Sequence, residues 1–423
     1  MAAIRSSPGP TRWPPVSANK PGDDRLAVAV IGGGPAGCAA ALGLARAGIE
    51  RVALFEASPS ARSKLGESLP PDARPLLRSL GVWDSFVEQG HAPCLGNCSA
   101  WGGDSLGYSD YVMHPLGPGW HLDRQRFESW LLDQTAQAGI GVELGTRLVA
   151  ITRTDHGFRL DLRGPNGPVQ RHARHVIDAT GSNARVARLL GADRRWLDRL
   201  FFTYGYFVPP PDTAVNRLTL VEAVPDGWWY RAALPDGRLA LALACELQTL
   251  REQRLDRWQP WLNHLAQTRH AATGLAGSLF LKDAMTTMAA PSFRLEPAIG
   301  DGWLAVGDAA GAFDPLLARG IAKALEDGLE AAQVVARWLQ QGECDPAAEY
   351  ASLLAARFQA MVFLRKRFYA IEQRWPDAPF WQARRRASSG VTALRTERAK
   401  PIPSGSDSKP VLRQAMPRPA ERR

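Results

Sequence analysis

Cysteine and lysine are both scarce in this chain of 423 residues, which contains five cysteines and seven lysines. The cysteines are scattered and odd in number, so a disulfide framework is not expected and a reducing, cytoplasmic setting is predicted. Cys94 and Cys98 stand close together, but no second pair of ligands follows them. Structural zinc sites usually need four such ligands. We therefore predict no metal site.

Long apolar segments are also lacking, with one exception. Residues 26–45 form the only uncharged stretch of the length needed to cross a membrane. This stretch contains five glycines and Pro35, and its first six residues favour a strand. A strand, a glycine-rich turn and a helix therefore explain it better than a membrane span. Residues 1–25 lack the apolar core of a secretory signal and are predicted to be a disordered extension.

Acidic residues are few at the C-terminal end of the chain. Between Arg384 and Arg423 eleven basic residues accompany three acidic ones, so this segment carries +8 of the formal net charge of +9. The body of the chain is therefore almost neutral, which gives no reason to expect nucleic-acid binding. We predict a disordered basic tail over 386–423. A solvated run and a docking site for an acidic partner are both compatible with residues 384–423.

The order of predicted elements is typical of an α/β protein with an inserted antiparallel sheet. Hydrophobic periodicity and turn residues predict a βαβ unit over residues 26–55 and a later strand at 303–306. Further helices are predicted at 72–80, 127–138, 250–268, 320–339 and 346–370. Further strands are predicted at 142–146, 148–154, 158–163, 176–179, 217–224, 228–234 and 238–246. This order indicates a nucleotide-binding domain interrupted by a sheet domain that forms the other wall of a pocket.

The strongest motif follows the first predicted strand and opens the first helix. Its glycines and the two residues that begin the helix are Gly32, Gly34, Gly37, Pro35 and Ala36. In the Gly-x-Gly-x-x-Gly pattern the glycines allow a tight turn, a close approach to a pyrophosphate and close packing of the helix. Glu56 ends the second strand, where a carboxylate can bind the hydroxyl groups of an adenosine ribose. The pattern therefore predicts a dinucleotide site.

A second motif, Gly307-Asp308, ends the late strand and precedes Pro315 and a helix that begins near Gly320 and Ile321. Together the two motifs resemble those of FAD-dependent monooxygenases and their flavin halogenase relatives. In that family the Asp holds a ribityl hydroxyl of FAD and the next helix points at the flavin. The resemblance therefore implies that Asp308, Pro315, Gly320 and Ile321 bind FAD. A helix N-terminus suits the negative charge of reduced flavin.

Three further segments support the resemblance. Residues 66–71 and 120–127 are similar to family segments that contact the cofactor, which implies that Ser68 and Arg124 bind FAD. Residues 178–182 resemble a third family segment, but Thr180 stands where the family has Asp. The chain has one Gly-x-Gly-x-x-Gly motif and no separate nicotinamide domain. The resemblance therefore implies FAD as the cofactor and NAD(P)H as a transient reductant.

The family fold is a Rossmann-like FAD-binding domain of the glutathione-reductase type, with an inserted, mostly antiparallel substrate sheet and C-terminal helices. The resemblance places the FAD-binding domain at 26–90, 120–190 and 290–340, the substrate domain at 91–119 and 195–290, and a helical region at 345–385. The implied reaction is hydroxylation of an electron-rich aromatic ring through a flavin C4a-hydroperoxide.

Two departures from the halogenase pattern favour oxygen insertion. Halogenases carry a Trp-x-Trp-x-Ile-Pro segment, but residues 230–235 have neither Trp, and the halogenase Lys is absent between Leu76 and Leu95. The stretch 91–102 is similar to flavoproteins that oxidise a peptidyl tryptophan in quinone-cofactor biogenesis. This implies a protein or peptide substrate that bears tryptophan. A flavin halogenase, a hydroxylase of small or carrier-bound aromatic compounds, and a geranylgeranyl-reductase-like flavoprotein remain alternatives.

The catalytic residues are not identified by these motifs. His121 is a candidate proton carrier and Arg319 a candidate partner of reduced flavin, although a hydrogen-bonded loop histidine and a solvated arginine would look the same in sequence. Neighbouring side chains on a strand point to opposite faces, so one of Trp228 and Trp229 is expected to line the pocket.

Overall fold

The computed structural model describes residues 25–61, 65–342 and 345–386, so residues 1–24 and 387–423 of the predicted terminal segments lie outside it. The strands of the described part are β1 (Leu26–Ile31), β2 (Val52–Phe55), β3 (Ser68–Leu69), β4 (Ala92–Cys94), β5 (Gly96–Ala100), β6 (Gly107–Asp110), β7 (Gly119–His121), β8 (Gly141–Glu143), β9 (Arg147–Thr154) and β10 (Gly157–Gly164). They continue with β11 (Gly167–Asp178), β12 (Asp193–Val208), β13 (Leu218–Val224), β14 (Gly227–Ala233), β15 (Leu239–Glu246), β16 (Leu279–Phe280), β17 (Thr286–Glu296), β18 (Ile299–Gly300), β19 (Trp303–Ala305) and β20 (Gly311–Ala312).

The helices of the described part are α1 (Pro35–Arg46), α2 (Ala73–Ser79), α3 (Trp83–Glu88), α4 (Arg124–Gln137), α5 (Arg185–Leu189), α6 (Leu247–Glu252), α7 (Trp258–Ala266), α8 (Gly320–Gln341), α9 (Asp345–Ile371) and α10 (Pro379–Arg386). Among the described helices none is long and apolar enough to cross a membrane.

The first sheet is built around a parallel core in the order β19-β11-β1-β2-β8, and β18, β10 and β9 extend it by antiparallel pairing. Its central strands are buried on both sides, since α1 and α8 cover one face and α5 lies on the other. The helices α1 and α8 pack very closely, because a Cβ on Gly328 would lie 2.5 Å from the Ala36 carbonyl oxygen. The predicted Rossmann-like fold is confirmed.

The second sheet has the order β20-β17-β12-β15-β14-β13-β5-β6, with β16 beside β12. All its pairs are antiparallel except the parallel pair β13–β5. Both faces of this sheet are covered. Trp229 packs on Trp261 of α7, whereas Trp228 on the opposite face packs on Phe202 and donates a hydrogen bond to Tyr369 of α9. Neighbouring tryptophans can therefore both be buried although they point in opposite directions.

A small third sheet has the strand order β3-β7-β4. Several elements differ from the sequence prediction. The helix predicted at 250–268 is wrong as a single element, because Arg254 adopts a φ of 53° and separates α6 from α7. The long strands β12 and β17, which pair with each other near one edge of the second sheet, were not predicted.

Residues 384–423 were interpreted as a solvated run or a docking tail. For Arg384 this interpretation is wrong. Arg384 belongs to α10 and is 1% exposed. Its guanidinium donates to Glu246 at 3.0 Å and to the Phe380 carbonyl oxygen at 2.9 Å, and it lies over the Phe380 ring. This arginine therefore fastens α10 to the second sheet and does not face a partner. Residues 387–423 lie outside the described residues.

Candidate active site

A cavity of about 310 Å³ is lined by residues of the second sheet, by Ser68 of β3, by the N-terminal ends of α1, α4 and α8, and by loops beside them. Eight of the residues singled out from the sequence line it: Pro35, Ser68, Arg124, Asp308, Pro315, Arg319, Gly320 and Ile321. The second sheet supplies an aromatic wall of Phe202, Trp228 and Tyr230, and residues 288–291 complete it. Trp228 is thus the tryptophan of the pair that faces the cavity. Whether the predicted residues contact FAD stays a prediction.

The glycine-rich turn contains two glycines at which the fold leaves no room for a side chain and one at which it does. A Cβ on Gly32, whose φ is 115°, would lie 2.2 Å from the Ala179 carbonyl oxygen, and one on Gly37 would lie 1.9 Å from the Gly32 carbonyl oxygen. The fold itself therefore requires these two glycines. A Cβ on Gly34 would meet no atom within 4 Å. Its open space lies at the N-terminus of α1, which is where a pyrophosphate is bound in this kind of motif.

Glu56 is placed beside the same turn by the end of β2. Its Oε2 accepts a hydrogen bond from the Gly33 amide and its Oε1 accepts one from the Ser58 amide, both at 2.7 Å. A carboxylate has about four lone-pair sites, so each oxygen keeps acceptor capacity for a further donor. The carboxylate is therefore held in a fixed orientation and keeps acceptor capacity, and its contact with the adenosine ribose stays a prediction.

A buried ion pair on α8 holds the backbone of the Gly307-Asp308 motif. The sequence analysis did not identify this ion pair. Lys323 of α8 is 4% exposed, and its Nζ donates to the Gly307 carbonyl oxygen at 2.8 Å and to Asp327 at 2.7 Å. Asp327 in turn accepts a hydrogen bond from the Gly307 amide at 3.1 Å. The only sequence signal was a Lys and an Asp four residues apart on the apolar side of a helix. This clamp fixes where Asp308 enters the cavity.

The loop between β20 and α8 is held by a longer chain of buried charges. Asp314 caps the turn at 315–317 and lines the cavity, and its Oδ2 accepts a hydrogen bond from Arg365 of α9 at 2.9 Å. Arg365 also pairs with Asp198 of β12, and Asp198 pairs with Arg384 at 3.3 Å. Burial opposes the charge of Arg365, but the two carboxylates outweigh this effect and raise its pKa. The C-terminal helices thus set the position of this loop.

The predicted cofactor residue Arg124 is partly engaged with the protein itself. Its Nη1 donates to the carbonyl oxygens of Leu65 and Gly66, both at 2.9 Å, and its Nη2 pairs with Glu128 one turn along α4. These contacts hold the segment before Ser68 against the cavity. The guanidinium still lines the cavity, so one face is available to a ligand.

The substitution at Thr180 is explained by its neighbours. Thr180 donates from its backbone amide and its hydroxyl to Asp178, at 3.0 and 2.6 Å, and its hydroxyl accepts from the Arg185 amide. Asp178, two residues earlier, also accepts from the Ala187 amide at 2.8 Å. The pair therefore holds the turn after β11 and joins it to α5.

The two candidate catalytic residues occupy different settings. Arg319 lines the cavity and lies 3.3 Å from Asp72, and both side chains are about half exposed. His121 does not line the cavity, is fully buried, and has its Nε2 2.9 Å from the hydroxyl of Thr219. Burial lowers the pKa of His121 to about 4, which keeps it neutral at pH 7. Direct proton exchange between His121 and a ligand in the cavity is therefore not supported.

The described residues contain no group of three or more metal-ligating side chains, which agrees with the donor set of the cavity. That set suits a dinucleotide flavin. At the cavity the N-termini of α1 and α8 offer backbone N–H groups and Asp308 offers a carboxylate for a hydroxyl group. The open space at Gly34 and the carboxylate of Glu56 lie outside its lining, at the glycine-rich turn.

Comparison with known proteins agrees with this site. The family described as FAD binding domain matches residues 25–363. A protein of Marinomonas mediterranea named FAD-dependent oxidoreductase LodB is 29% identical over 357 residues, which cover 84% of this chain and 95% of LodB. The flavin-dependent halogenase CmlS has a TM-score of 0.77 at 26% identity and covers 85% of this chain and 68% of its own.

The peptidyl tryptophan dihydroxylase QhpG has a similar fold, with a TM-score of 0.66 at 23% identity over 89% of this chain and 81% of QhpG. The family match spans the glycine-rich turn, the Gly307-Asp308 motif and most of α9. The chain therefore belongs to the FAD binding domain family and is an FAD-dependent oxidoreductase.

Proposed function

We propose that this protein is a monooxygenase that uses NAD(P)H and O₂ to hydroxylate an electron-rich aromatic ring, and that the ring is a tryptophan side chain of a partner protein or peptide. The observation that carries the proposal is the shape of the cavity. Its aromatic wall of Phe202, Trp228 and Tyr230 lies opposite the start of α8, where the flavin ring is expected.

FAD would be held by the glycine turn, Glu56, Arg124, Asp308 and the N-terminus of α8. When bound, it supplies two-electron chemistry and the activation of O₂. The protein supplies orientation and the exclusion of water. An aromatic ring that packs against Trp228 is shielded on one side by the second sheet, whose other face is closed by Trp229 and α7. The substrate therefore has to enter from the side of the loops.

Oxygen insertion is favoured over halogenation by the lining of the cavity. Among the described residues that line it there is no lysine, and Tyr230 begins the segment in which halogenases have two tryptophans. Lys323, the buried lysine nearest the flavin motif, is engaged with Asp327. Halogenation is the second candidate function, because the similar structures include the flavin-dependent halogenase CmlS.

A polypeptide substrate is supported by the segment 91–102 and by the surface next to it. The segment forms β4, β5 and the turn at Trp101, and β5 pairs with the edge strand β6. Tyr108 on β6 is 66% exposed, and Val112 and Met113 just after it are 79% and 90% exposed. Exposed apolar side chains at a sheet edge are typical of protein-binding surfaces.

The test combines cofactor content with product mass. Purified protein is expected to retain FAD or to bind added FAD, and to oxidise NADH or NADPH. With O₂ and candidate partner proteins encoded nearby, intact-mass analysis is expected to find one or two added oxygen atoms on tryptophan, and labelled O₂ is expected to supply them.

Three other outcomes would contradict the proposal. Absence of FAD binding would remove the cofactor assignment. Products that contain chlorine or bromine, and that depend on added halide, would select the halogenase. Activity that persists without O₂ would select the geranylgeranyl-reductase type of reaction.

A further inference from the structure

A chain of hydrogen-bonded polar groups leads from the cavity wall into the protein. Tyr230 Oη lies 3.3 Å from Glu67 Oε2 and 3.0 Å from Ser68 Oγ. Ser68 Oγ lies 3.0 Å from the hydroxyl of Thr219, which lies 2.9 Å from His121 Nε2. Tyr230 and Ser68 line the cavity, Glu67 lines a separate small cavity of about 20 Å³ beside Arg124, and His121 lines neither. The chain thus joins a surface that a ligand would touch to two buried ionisable groups.

Glu67 is an unusual group at this position. It is 2% exposed, and its Oε1 has no hydrogen-bond partner among the described residues. Burial raises the pKa of this carboxyl group, and the charge of Arg124 only partly opposes that effect. A buried carboxylate with an unpaired oxygen lowers the stability of the fold, so its presence calls for a functional explanation. Its Oε2 also accepts from the Gly66 amide at 3.1 Å, which fixes the carboxylate towards Tyr230.

When Glu67 is ionised and His121 carries its proton on Nε2, one arrangement of protons satisfies every link. Tyr230 donates to Glu67, Ser68 donates to Tyr230, Thr219 donates to Ser68, and the Nε2–H of His121 donates to Thr219. In this arrangement the proton of Tyr230 is directed away from the cavity. The phenolic oxygen therefore presents acceptor capacity to a ligand, and a group that donates a hydrogen bond is the one that fits it.

We propose that Tyr230, supported by Glu67, is the residue that recognises the N–H or O–H group of an aromatic substrate and accepts its proton. This inference rests on the proposed function, and it narrows the substrate class to rings such as indoles and phenols. The aromatic wall places such a ring beside Tyr230, because Trp228 and Phe202 flank the same part of the cavity.

The proton transfer balances without a further oxidant. In the proposed reaction the O–O bond of the activated oxygen would break, its electron pair would stay on the departing oxygen, and the ring would gain HO⁺ and with it a positive charge. The N–H or O–H bond then breaks, and its electron pair stays on the substrate and cancels that charge. The proton moves to Tyr230 Oη while the proton of Tyr230 moves to Glu67 Oε2. The reverse transfer restores the N–H or O–H bond when the ring carbon that bears the new oxygen loses its hydrogen to water as a proton.

The experiment measures binding of indole and 1-methylindole to the FAD-loaded protein by calorimetry. We expect the wild type to bind indole about tenfold more tightly, because a site built to accept an N–H rejects the analogue that lacks it. Tyr230→Phe is expected to abolish this preference and to leave the affinity for 1-methylindole unchanged. Glu67→Gln is expected to reduce the preference, since a neutral amide accepts more weakly than a carboxylate.

Tyr111→Phe is the matched control, because Tyr111 accepts a hydrogen bond from Asn97 at 2.9 Å and does not line the cavity. It is expected to keep the preference for indole. Equal wild-type affinities for the two probes, binding of neither probe, or a preference that survives in Tyr230→Phe would each overturn the inference. Calorimetry does not depend on turnover. A protein that prefers indole but never oxygenates a substrate would therefore contradict only the proposed function.

Discussion

At the scale of single residues, Gly34 differs from Gly32 and Gly37 because no contact within the described residues excludes a side chain there. A bound phosphate would exclude one. A Cβ there meets no atom of the described residues within 4 Å, whereas Gly32 and Gly37 are crowded by backbone atoms. We expect Gly34→Ala to fold normally and to bind FAD at least about tenfold more weakly, since the methyl group takes the space of a phosphate. Thermal denaturation of the apoprotein and FAD titration measure the two effects.

Gly32→Ala is the comparison for that prediction. It is expected to lower the thermal stability of the apoprotein, because its φ of 115° and the Ala179 carbonyl oxygen both exclude a side chain. If Gly34→Ala destabilised the apoprotein as much as Gly32→Ala does, the glycine would be structural and the phosphate site would be misplaced.

Glu56 gives a second prediction at this scale. Its carboxylate is held by two amides and is expected to bind the adenosine ribose, which FMN lacks. We expect Glu56→Gln to weaken binding of FAD about tenfold and to leave any binding of FMN unchanged. Flavin fluorescence titrations with both compounds provide the measurement. An equal loss for FAD and FMN would mean that the substitution disturbs the turn and not the ribose.

At the scale of elements, the helices α9 and α10 hold the cavity loop through buried charges. Arg365→Met would leave the buried carboxylate of Asp314 without its counter-charge and would leave Asp198 paired with Arg384 alone, so we expect a loss of about 3–5 kcal/mol in the free energy of unfolding. The amides of 313–319 are expected to exchange faster with solvent. Urea denaturation and hydrogen exchange measure these effects.

Arg367→Met is the matched control on the same helix, because Arg367 is exposed. It is expected to change the free energy of unfolding little, and Arg365→Lys is expected to lie between the two. Unchanged exchange of 313–319 in Arg365→Met would show that the loop is held by other contacts.

The elements also show why sequence patterns predicted one sheet better than the other. The βαβ unit of the first sheet is marked by a short apolar strand, a glycine turn and a helix with Gly48 after its end. The strands β12 and β17 lack such marks. The first half of β12 is rich in arginine, and its second half is buried on both faces, so neither half alternates between apolar and polar residues. The break at Arg254 carries no glycine or proline.

The same limit applies to the site. Local motifs identify the glycine turn and the start of α8, because the chemistry lies in neighbouring residues. Tyr230 and Glu67 are 163 positions apart, and the pairings β14–β13–β5 and β4–β7–β3 bring their segments together. The sequence named His121 as a candidate proton carrier and Tyr230 only as the start of the segment 230–235, and it could not connect them.

At the scale of the whole molecule, three buried histidines predict sensitivity to acid. Burial lowers the pKa values of His91, His121 and His175 to about 4, from an ordinary value of 6.5. Between these values the unfolded state binds more protons than the folded state, so the free energy of unfolding falls as the pH falls from 6.5 to about 4. The loss is about 1.4 kcal/mol per pKa unit, or roughly 3 kcal/mol per histidine.

His175→Phe tests this prediction, because phenylalanine keeps a ring against Trp338, on which His175 stacks. The variant is expected to lose less stability than the wild type between pH 7 and pH 4.5 in urea denaturation. His156→Phe, at an exposed position, is the control and is expected to follow the wild type. An identical pH dependence in His175→Phe and wild type would contradict the assignment.

The strand order of the first sheet has a consequence for synthesis on the ribosome. Its parallel core takes strands from residue 26 to residue 305, and the helix that completes the cavity begins at Gly320. A nascent chain can therefore form the glycine-rich end of the pocket early, but it cannot complete the other end until Gly320 and the residues of α8 have emerged. Binding of FAD is therefore expected to occur late in the synthesis of this chain.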